Sequence, residues 1–214
     1  GRSNLAAIEA QVKKSPGITF EIVWHNWGDT DFSTLSLRIR EHRSDGLLMV
    51  ANESEGQHIL SAVAAMHPAD RPPIIAHWGI TAADFNQMTD GLAHQLDLVT
   101  VQTFSFVDKK NGRRASVLES ANRLLNEDVR RIPALVGFAH AYDLTYLLIQ
   151  AVKQAGSTDR NRIRQALERL GAYQGLVRNY QHPFSEANHE GLSREQVFVA
   201  RFASDGSLFR EGSR

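Results

Sequence analysis

Three short loops in the first hundred residues carry the side chains best suited to chemistry. They read HNWGDTDF at 25–32, NESEG at 52–56 and HWGITAADF at 77–85. Each sets a glycine among aromatic or polar groups. Two of the chain's three tryptophans, Trp27 and Trp78, fall in them, each directly before a glycine and close behind an apolar run. The chemistry that such residues support is non-covalent recognition. An indole offers an apolar face, while imidazole, amide and hydroxyl groups hydrogen-bond a polar end, and glycine lets backbone approach a ligand closely. The free N–H groups of a helix that starts behind such a loop can hold an anion such as a carboxylate. A second reading stands beside this one: a tryptophan at a strand end can simply close a core, and Asp29, Thr30 and Thr81 can be helix caps.

Covalent and metal chemistry find less support. The sequence has no G-x-S-x-G elbow, no G-x-x-x-x-G-K-[ST] phosphate cradle and no G-x-G-x-x-G turn. None of the nine histidines stands at His-x3-His spacing beside a glutamate, and the closest pair, His182 and His189, lies in a polar loop. The absence of cysteine removes disulfides, thiol nucleophiles and thiolate metal sites. No catalytic residue, metal or cofactor is therefore expected, although an enzyme of the doubly wound class using His77 or His25 as acid/base remains an alternative. The 24 basic residues balance the 24 acidic ones, with no basic run longer than a pair such as Arg113-Arg114. That balance argues against nucleic acid or a charged membrane surface as partner.

The elements that must position these loops follow from periodicity. A helix with Leu5, Ile8 and Val12 on one face leads to Gly17, and the β-rich run ITFEIVW (18–24) follows. Asp29, Thr30 and Asp31 offer N-caps for a helix carrying Phe32, Leu35 and Ile39. DGLLMVA (45–51) reads as a strand buried on both faces, and a helix through Ile59, Leu60, Val63 and Met66 ends before Pro68. PPIIAHW (72–78) is the third strand, TAADFNQM a short helix, and DLVTVQTF (97–104) the fourth strand. Alternation of this kind predicts an α/β, doubly wound parallel sheet with helices on both faces. The three loops then lie outside the carboxyl ends of its strands, where ligands gather in such sheets.

After residue 110 the pattern changes. A helix near 114–127 (Val117, Leu118, Leu124, Leu125) precedes a long one at 135–154 that is apolar on most of its circumference. Asp143, Gln150, Lys153 and Gln154 mark its wet side, and the rest is expected to be buried between layers. No uninterrupted apolar stretch of 18 residues is present, so no membrane span is expected. Gly156 stops the long helix, and Ser157 or Thr158 caps another with Ile163, Ala166, Leu167 and Leu170 as its stripe and Gly171 at its end. The tail gives two or three strands, the last pair joined by a turn at Asp205-Gly206.

One stretch is recognisable as a whole: GFAHAYDLTYLLIQAVKQAGSTDRNRIRQALERLGAYQGLVRNY (137–180). With GRSNLAAIEA at the start and GDTDFSTLSLRIREHRSDGLLMV (28–50), it resembles the type I periplasmic solute-binding proteins. The likeness is to the branched-chain amino-acid/amide receptors of ABC transporters. It implies two α/β lobes that clamp a small-molecule ligand as they hinge shut, outside the cytoplasm, for delivery to a membrane permease. On that map 1–104 belongs to the second lobe, 105–171 is a crossover with helices of the first lobe, and 172–214 returns mostly to the second. The part of such a protein that carries most of the first lobe has no counterpart here, so a missing N-terminal lobe, possibly a separate chain, is an expected partner. The same fold also serves as the extracellular sensing domain of signalling receptors, which is the alternative reading. The resemblance places Asn52, Glu53 and Ser54 in one ligand-contacting loop, His77, Trp78 and Gly79 in the next, and Tyr142 on a helix near the cleft. Amino-acid binders commonly keep an acid where Trp78 stands, so Glu53 would have to supply the charge for an α-amino-acid ligand.

Overall fold

The computed structural model describes residues 1–81, 84–106, 112–125 and 134–212. Parts of the expected helices at 81–88 and 114–127 (82–83, 126–127) and of the expected crossover (107–111, 126–133) lie outside the described residues. In chain order the elements begin α1 (Arg2–Val12), α2 (Ser33–His42), β1 (Leu47–Met49), α3 (Glu53–Ala64), β2 (Ile74–Ala76), α4 (Phe85–Met88), α5 (Leu92–Gln95) and β3 (Leu98–Gln102). They continue α6 (Gly112–Leu125), α7 (Leu135–Ala155), α8 (Arg160–Leu167), β4 (Tyr173–Gln174), β5 (Asn179–Tyr180), β6 (Phe198–Phe202) and β7 (Leu208–Arg210).

Five strands form the main sheet in the order β1-β2-β3-β6-β7. The first three are parallel, aligning Leu48 with Ile75 and Ile75 with Val99, as their helical connections require. β6 and β7 add antiparallel at the far side, joined by a hairpin in which Gly206 takes a left-handed φ of 82°. The loops after β1 and β2 therefore open at the same edge of the sheet.

One core lies between the sheet and its helices. Leu35 and Ile39 of α2, with Ile59, Leu60 and Val63 of α3, pack on Met49, Ile74, Ala76, Leu98, Ala200 and Phe202. The other face of the sheet is open: Leu48 is 55% and Ile75 45% exposed, and Val199 is exposed beside them. Among the described residues, the helices of this α/β sheet pack on one face. Two smaller clusters follow α7 along its length, one with Phe104, Phe106, Val117, Leu176 and Val177, the other with Ala166, Leu170, Tyr173 and Tyr180.

Several expectations need correction. Segment 18–24 forms no strand, and Ile18, Phe20, Ile22, Val23 and Trp24 are exposed, because β propensity without a neighbouring strand stabilises little. α1 buries no residue. Asp143 does not mark a wet face: it is 1% exposed and accepts hydrogen bonds from Leu176 N (2.5 Å), Val177 N (2.9 Å) and the Tyr180 hydroxyl (3.1 Å). A carboxylate can be buried at that cost only when so fully satisfied. α7 in turn leaves Leu144, Tyr146, Leu148 and Ile149 exposed, so it is covered on one side and not between layers. It is long and apolar enough, by length and composition, to cross a membrane, but Leu147 and Ala151 pack on α8 and Asp143 holds the β4–β5 turn. Gly156 ends α7 as expected, whereas the cap of α8 is Asp159, which accepts from Arg162 N at 3.0 Å. α8 stops at Leu167, before Gly171.

Candidate ligand-binding site

The loop after β1 runs directly into α3, whose first turn holds Glu53, Ser54 and Glu55. Glu55 is the polar hub. Its Oε1 accepts from Gly28 N at 2.8 Å and from the Ser54 hydroxyl at 2.7 Å, and only 3% of the residue is exposed. These two donors, the Gly28 N–H foremost, hold the carboxyl below the ordinary glutamate range. Desolvation opposes them and is outweighed. The loop that carries Gly28 is shaped by Asp29, whose Oδ2 accepts from Asn26 N at 2.7 Å, and its other end is held where the His25 ring meets Val50 O at 3.2 Å. Trp27 stands at its tip, 87% exposed.

The loop after β2 turns tightly. His77 caps the single 3-10 turn Trp78–Ile80, its Nδ1 accepting from Gly79 N at 3.2 Å. That bond leaves the ring proton on Nε2, as a donor. Burial lowers the His77 pKa, so the ring is neutral at pH 7. The Thr81 hydroxyl closes the turn on Trp78 O at 2.7 Å, and the fully buried Ile80 anchors it in the core. Trp78 lies against the His77 ring, centroids 5.0 Å apart, and is 41% exposed.

The two loops interlock at Gly79. A Cβ there would sit 2.5 Å from Ala51 O and 3.0 Å from Asn52 Oδ1. Only glycine allows so close an approach, which makes the 50–56 and 77–81 loops one rigid shelf. Glu55 ties the 25–29 loop to the same shelf. Neither Trp27 nor Trp78 closes a core, so of the two sequence readings the plug is excluded.

The shelf presents two indole faces, an imidazole N–H and one buried carboxylate. It has no paired nucleophile and base: the His25 and His77 rings both serve backbone groups. Among the described residues, no group of three His, Asp or Glu side chains could hold a metal.

The family profile described as periplasmic binding protein matches residues 1–207. The chain belongs to that family. Its fold is shared with a periplasmic binding protein type 1 from Bordetella pertussis (TM-score 0.81, 18% identity), over 99% of this chain and 57% of that one. A leucine-binding protein from Thermotoga maritima superposes with a TM-score of 0.77 at 19% identity, over 97% of this chain and 55% of that one. An ABC-transporter solute-binding protein from Rhodopseudomonas palustris, solved with 4-hydroxybenzoate, gives 0.75 at 13% identity, over 99% and 55%. No curated protein matches significantly. This periplasmic binding protein chain thus spans a little over half the length of the solved relatives it matches.

Within the binding-protein fold the site candidates divide. Asn52 meets Gly79 on the shelf, with Glu53 and Ser54 following in the same turn and His77 and Trp78 in the facing loop, although the Ser54 hydroxyl is spent on Glu55. Tyr142 stands apart on α7, half-buried in the second cluster, with its ring 4.8 Å from that of Tyr146. Two residues earlier on α7, His140 Nε2 lies 2.9 Å from Thr103 Oγ1 just beyond β3. Sequence reasoning passed over Glu55, yet Asn52-x-x-Glu55 has the spacing of a capping box and marks a carboxylate that turns back on its helix start. A recess of about 250 Å³ also occurs beneath 180–193, lined by Arg178, Tyr180, His182 and Glu190. Two of its polar side chains are engaged, Arg178 with Gln196 and His182 with Leu170 O.

Proposed function

We propose that the shelf is one wall of the ligand cleft in a solute receptor of an ABC transporter, working outside the cytoplasm with a membrane permease. The observation that carries this reading is the Gly79–Ala51 interlock, which presents Trp78 and the 52–54 turn as a fixed surface at the carboxyl edge of a parallel sheet. Residues 1–104 and 172–214 then make the second lobe, and 105–171 contributes to the first, with the facing wall supplied by the remainder of the fold. The ligand is a small organic solute: an amino acid, an amide or an aromatic or other organic carboxylate. Its apolar body lies on Trp78, and Asn52 with the His77 N–H takes its polar end. If the ligand carries an ammonium, the partly exposed Glu53 in the first turn of α3 is the carboxylate at hand, because Glu55 is buried and already accepts from Gly28 N and the Ser54 hydroxyl.

The test is a panel of amino acids, amides and aromatic carboxylates, followed by intrinsic fluorescence and thermal shift on the complete receptor. A ligand at 100 times its dissociation constant adds about 2.7 kcal/mol of stability. Trp78→Ala is expected to weaken the responding ligand at least tenfold, about 1.4 kcal/mol. A flat response to every class in both assays would refute the proposal.

A further inference from the structure

The side chains around the two exposed indoles of the shelf share one sign of charge. The 25–32, 52–56 and 77–85 loops hold Asp29, Asp31, Glu53, Glu55 and Asp84, and residues 15–37, 44–70 and 72–108 contain no lysine or arginine. The arginines that interrupt this region are Arg38, Arg40 and Arg43, late in α2 or just after it, and Arg71, shortly before β2. All four lie toward the opposite edge, where the parallel strands begin. There Arg38 pairs with Glu21, and Arg71 donates to Met66 O and Ala64 O. Within the sheet, arginine appears only beyond β3. Arg201 of β6 pairs with Asp97 and Glu211, and Arg210 of β7 stacks on Phe198, 4.0 Å from its ring centroid.

Two of the carboxylates flank Trp27. Asp29 accepts from Asn26 N at 2.7 Å, and Glu55 accepts from Gly28 N at 2.8 Å. Among the described residues none of the five is in an ion pair. Neutral N–H donors satisfy their oxygens without cancelling their charge. An independent feature lies behind the 77–81 loop. Gln102 ends β3 beside the Trp78–Ile80 turn, its Nε2 donating to Thr100 Oγ1 (3.4 Å), which reaches His77 O (3.4 Å). Its Oε1 is buried and has no donor. The shelf is thus rich in acceptors and has no cationic side chain of its own.

We infer that the shelf selects a ligand with net positive charge: an organic amine or amino-amide whose cationic nitrogen lies against the indoles. An indole face attracts a cation through its quadrupole, and uncompensated carboxylates of one sign draw cations in while repelling anions. The indoles supply the contact and the acids set the sign. The inference rests on the receptor reading above and narrows its ligand class, rejecting carboxylates that lack a cationic nitrogen.

The first test needs no ligand. Collisional quenching of tryptophan fluorescence by caesium and by iodide is measured on the full chain at constant ionic strength, each normalised to free N-acetyltryptophanamide. The difference between the parent and Trp27→Phe isolates the loop-tip indole. Caesium is expected to be roughly threefold the better quencher, and added salt to close the gap. Asp31→Asn with Glu53→Gln is expected to narrow it, whereas Glu41→Gln, near the opposite edge, leaves it unchanged. Iodide as effective as caesium overturns the inference. The second test adds charge-matched triples to the ligand panel on the complete receptor, such as phenylalaninamide, phenylalanine and phenylpropanoate. In whichever triple responds, the cation is expected to bind roughly tenfold tighter than the anion. A cation no tighter than its anion overturns the inference and leaves the receptor reading standing. Silence from every triple and every other panel member refutes the receptor reading, and this inference with it.

Discussion

Replacing Gly79 by alanine tests the shelf directly. The added Cβ falls 2.5 Å from Ala51 O, where ordinary contact begins at 3.4 Å, a shortfall of 0.9 Å. Neither side yields easily. Ala51 lies between β1 and α3, and residue 79 lies in a turn pinned by the buried Ile80 and by the Thr81–Trp78 hydrogen bond. Overpacking of this kind costs about 1–3 kcal/mol, and the upper half of that range applies where both partners are backbone. For a chain of this length the loss lowers Tm by roughly 4–12 °C. Urea unfolding followed by circular dichroism measures it. Gly171→Ala is the control: its Cβ meets nothing within 4 Å and its φ is ordinary, so it is expected to be neutral or to stabilise by up to about 1 kcal/mol. If the two variants unfold within about 0.5 kcal/mol of each other, near the limit expected for featureless surface positions, the loops part without cost and the rigid-shelf argument is wrong.

Asp143→Ala leaves three buried donors without an acceptor, and on the order of 3–5 kcal/mol is expected to disappear from the urea-derived stability. A loss below about 1 kcal/mol would mean that water replaces the carboxylate freely. Glu55→Gln is expected to cost about 1 kcal/mol at neutral pH. Because the folded pKa is depressed, that contribution is complete above the unfolded value of about 4.3 and fades as pH falls through the folded value. The gap between Glu55→Gln and the parent chain should therefore close in acid, and a gap constant with pH would remove the carboxylate from the account. Burial, reinforced by Asp143, pushes the Tyr173 hydroxyl up to about 12 and that of Tyr180 higher still. In an alkaline titration read by phenolate absorbance, these two are expected to ionise last and to destabilise the fold as pH rises past their ordinary value; simultaneous ionisation of all four tyrosines would contradict it.

The sequence carried the alternation of helix and strand well, because short apolar runs such as Leu47–Met49 and Ile74–Ala76 form strands wherever they pair, although the first, expected to be buried on both faces, buries only one. It misled at 18–24 for a reason that no local pattern records. ITFEIVW has strand composition, but a strand exists only with a neighbour, and β1 offers its edge without being met. Asp143 failed in the opposite sense: a single charge on an apolar helix reads as a wet mark until the turn that surrounds it, 33 residues away, is known. For the site, the loops and their glycines were legible, and Gly79 has a steric reason the sequence could only suggest. The burial of Glu55 was not: it shares a turn of α3 with Glu53, and it is the contact with Gly28, 27 residues back, that separates them.

The close fit of Gly79 against Ala51 also bears on how such a receptor can change its taste over evolutionary time. Because the shelf's backbone admits no intermediate shapes, loop remodelling by insertion or small shifts would be met first by loss of the fold. Under the proposed receptor role, novel ligands are then reached by exchanging side chains on an unaltered frame, with the indole at 78 and the amide at 52 as the replaceable parts. A lineage built on this chain should diversify by point substitution at those two positions while residue 79 stays fixed.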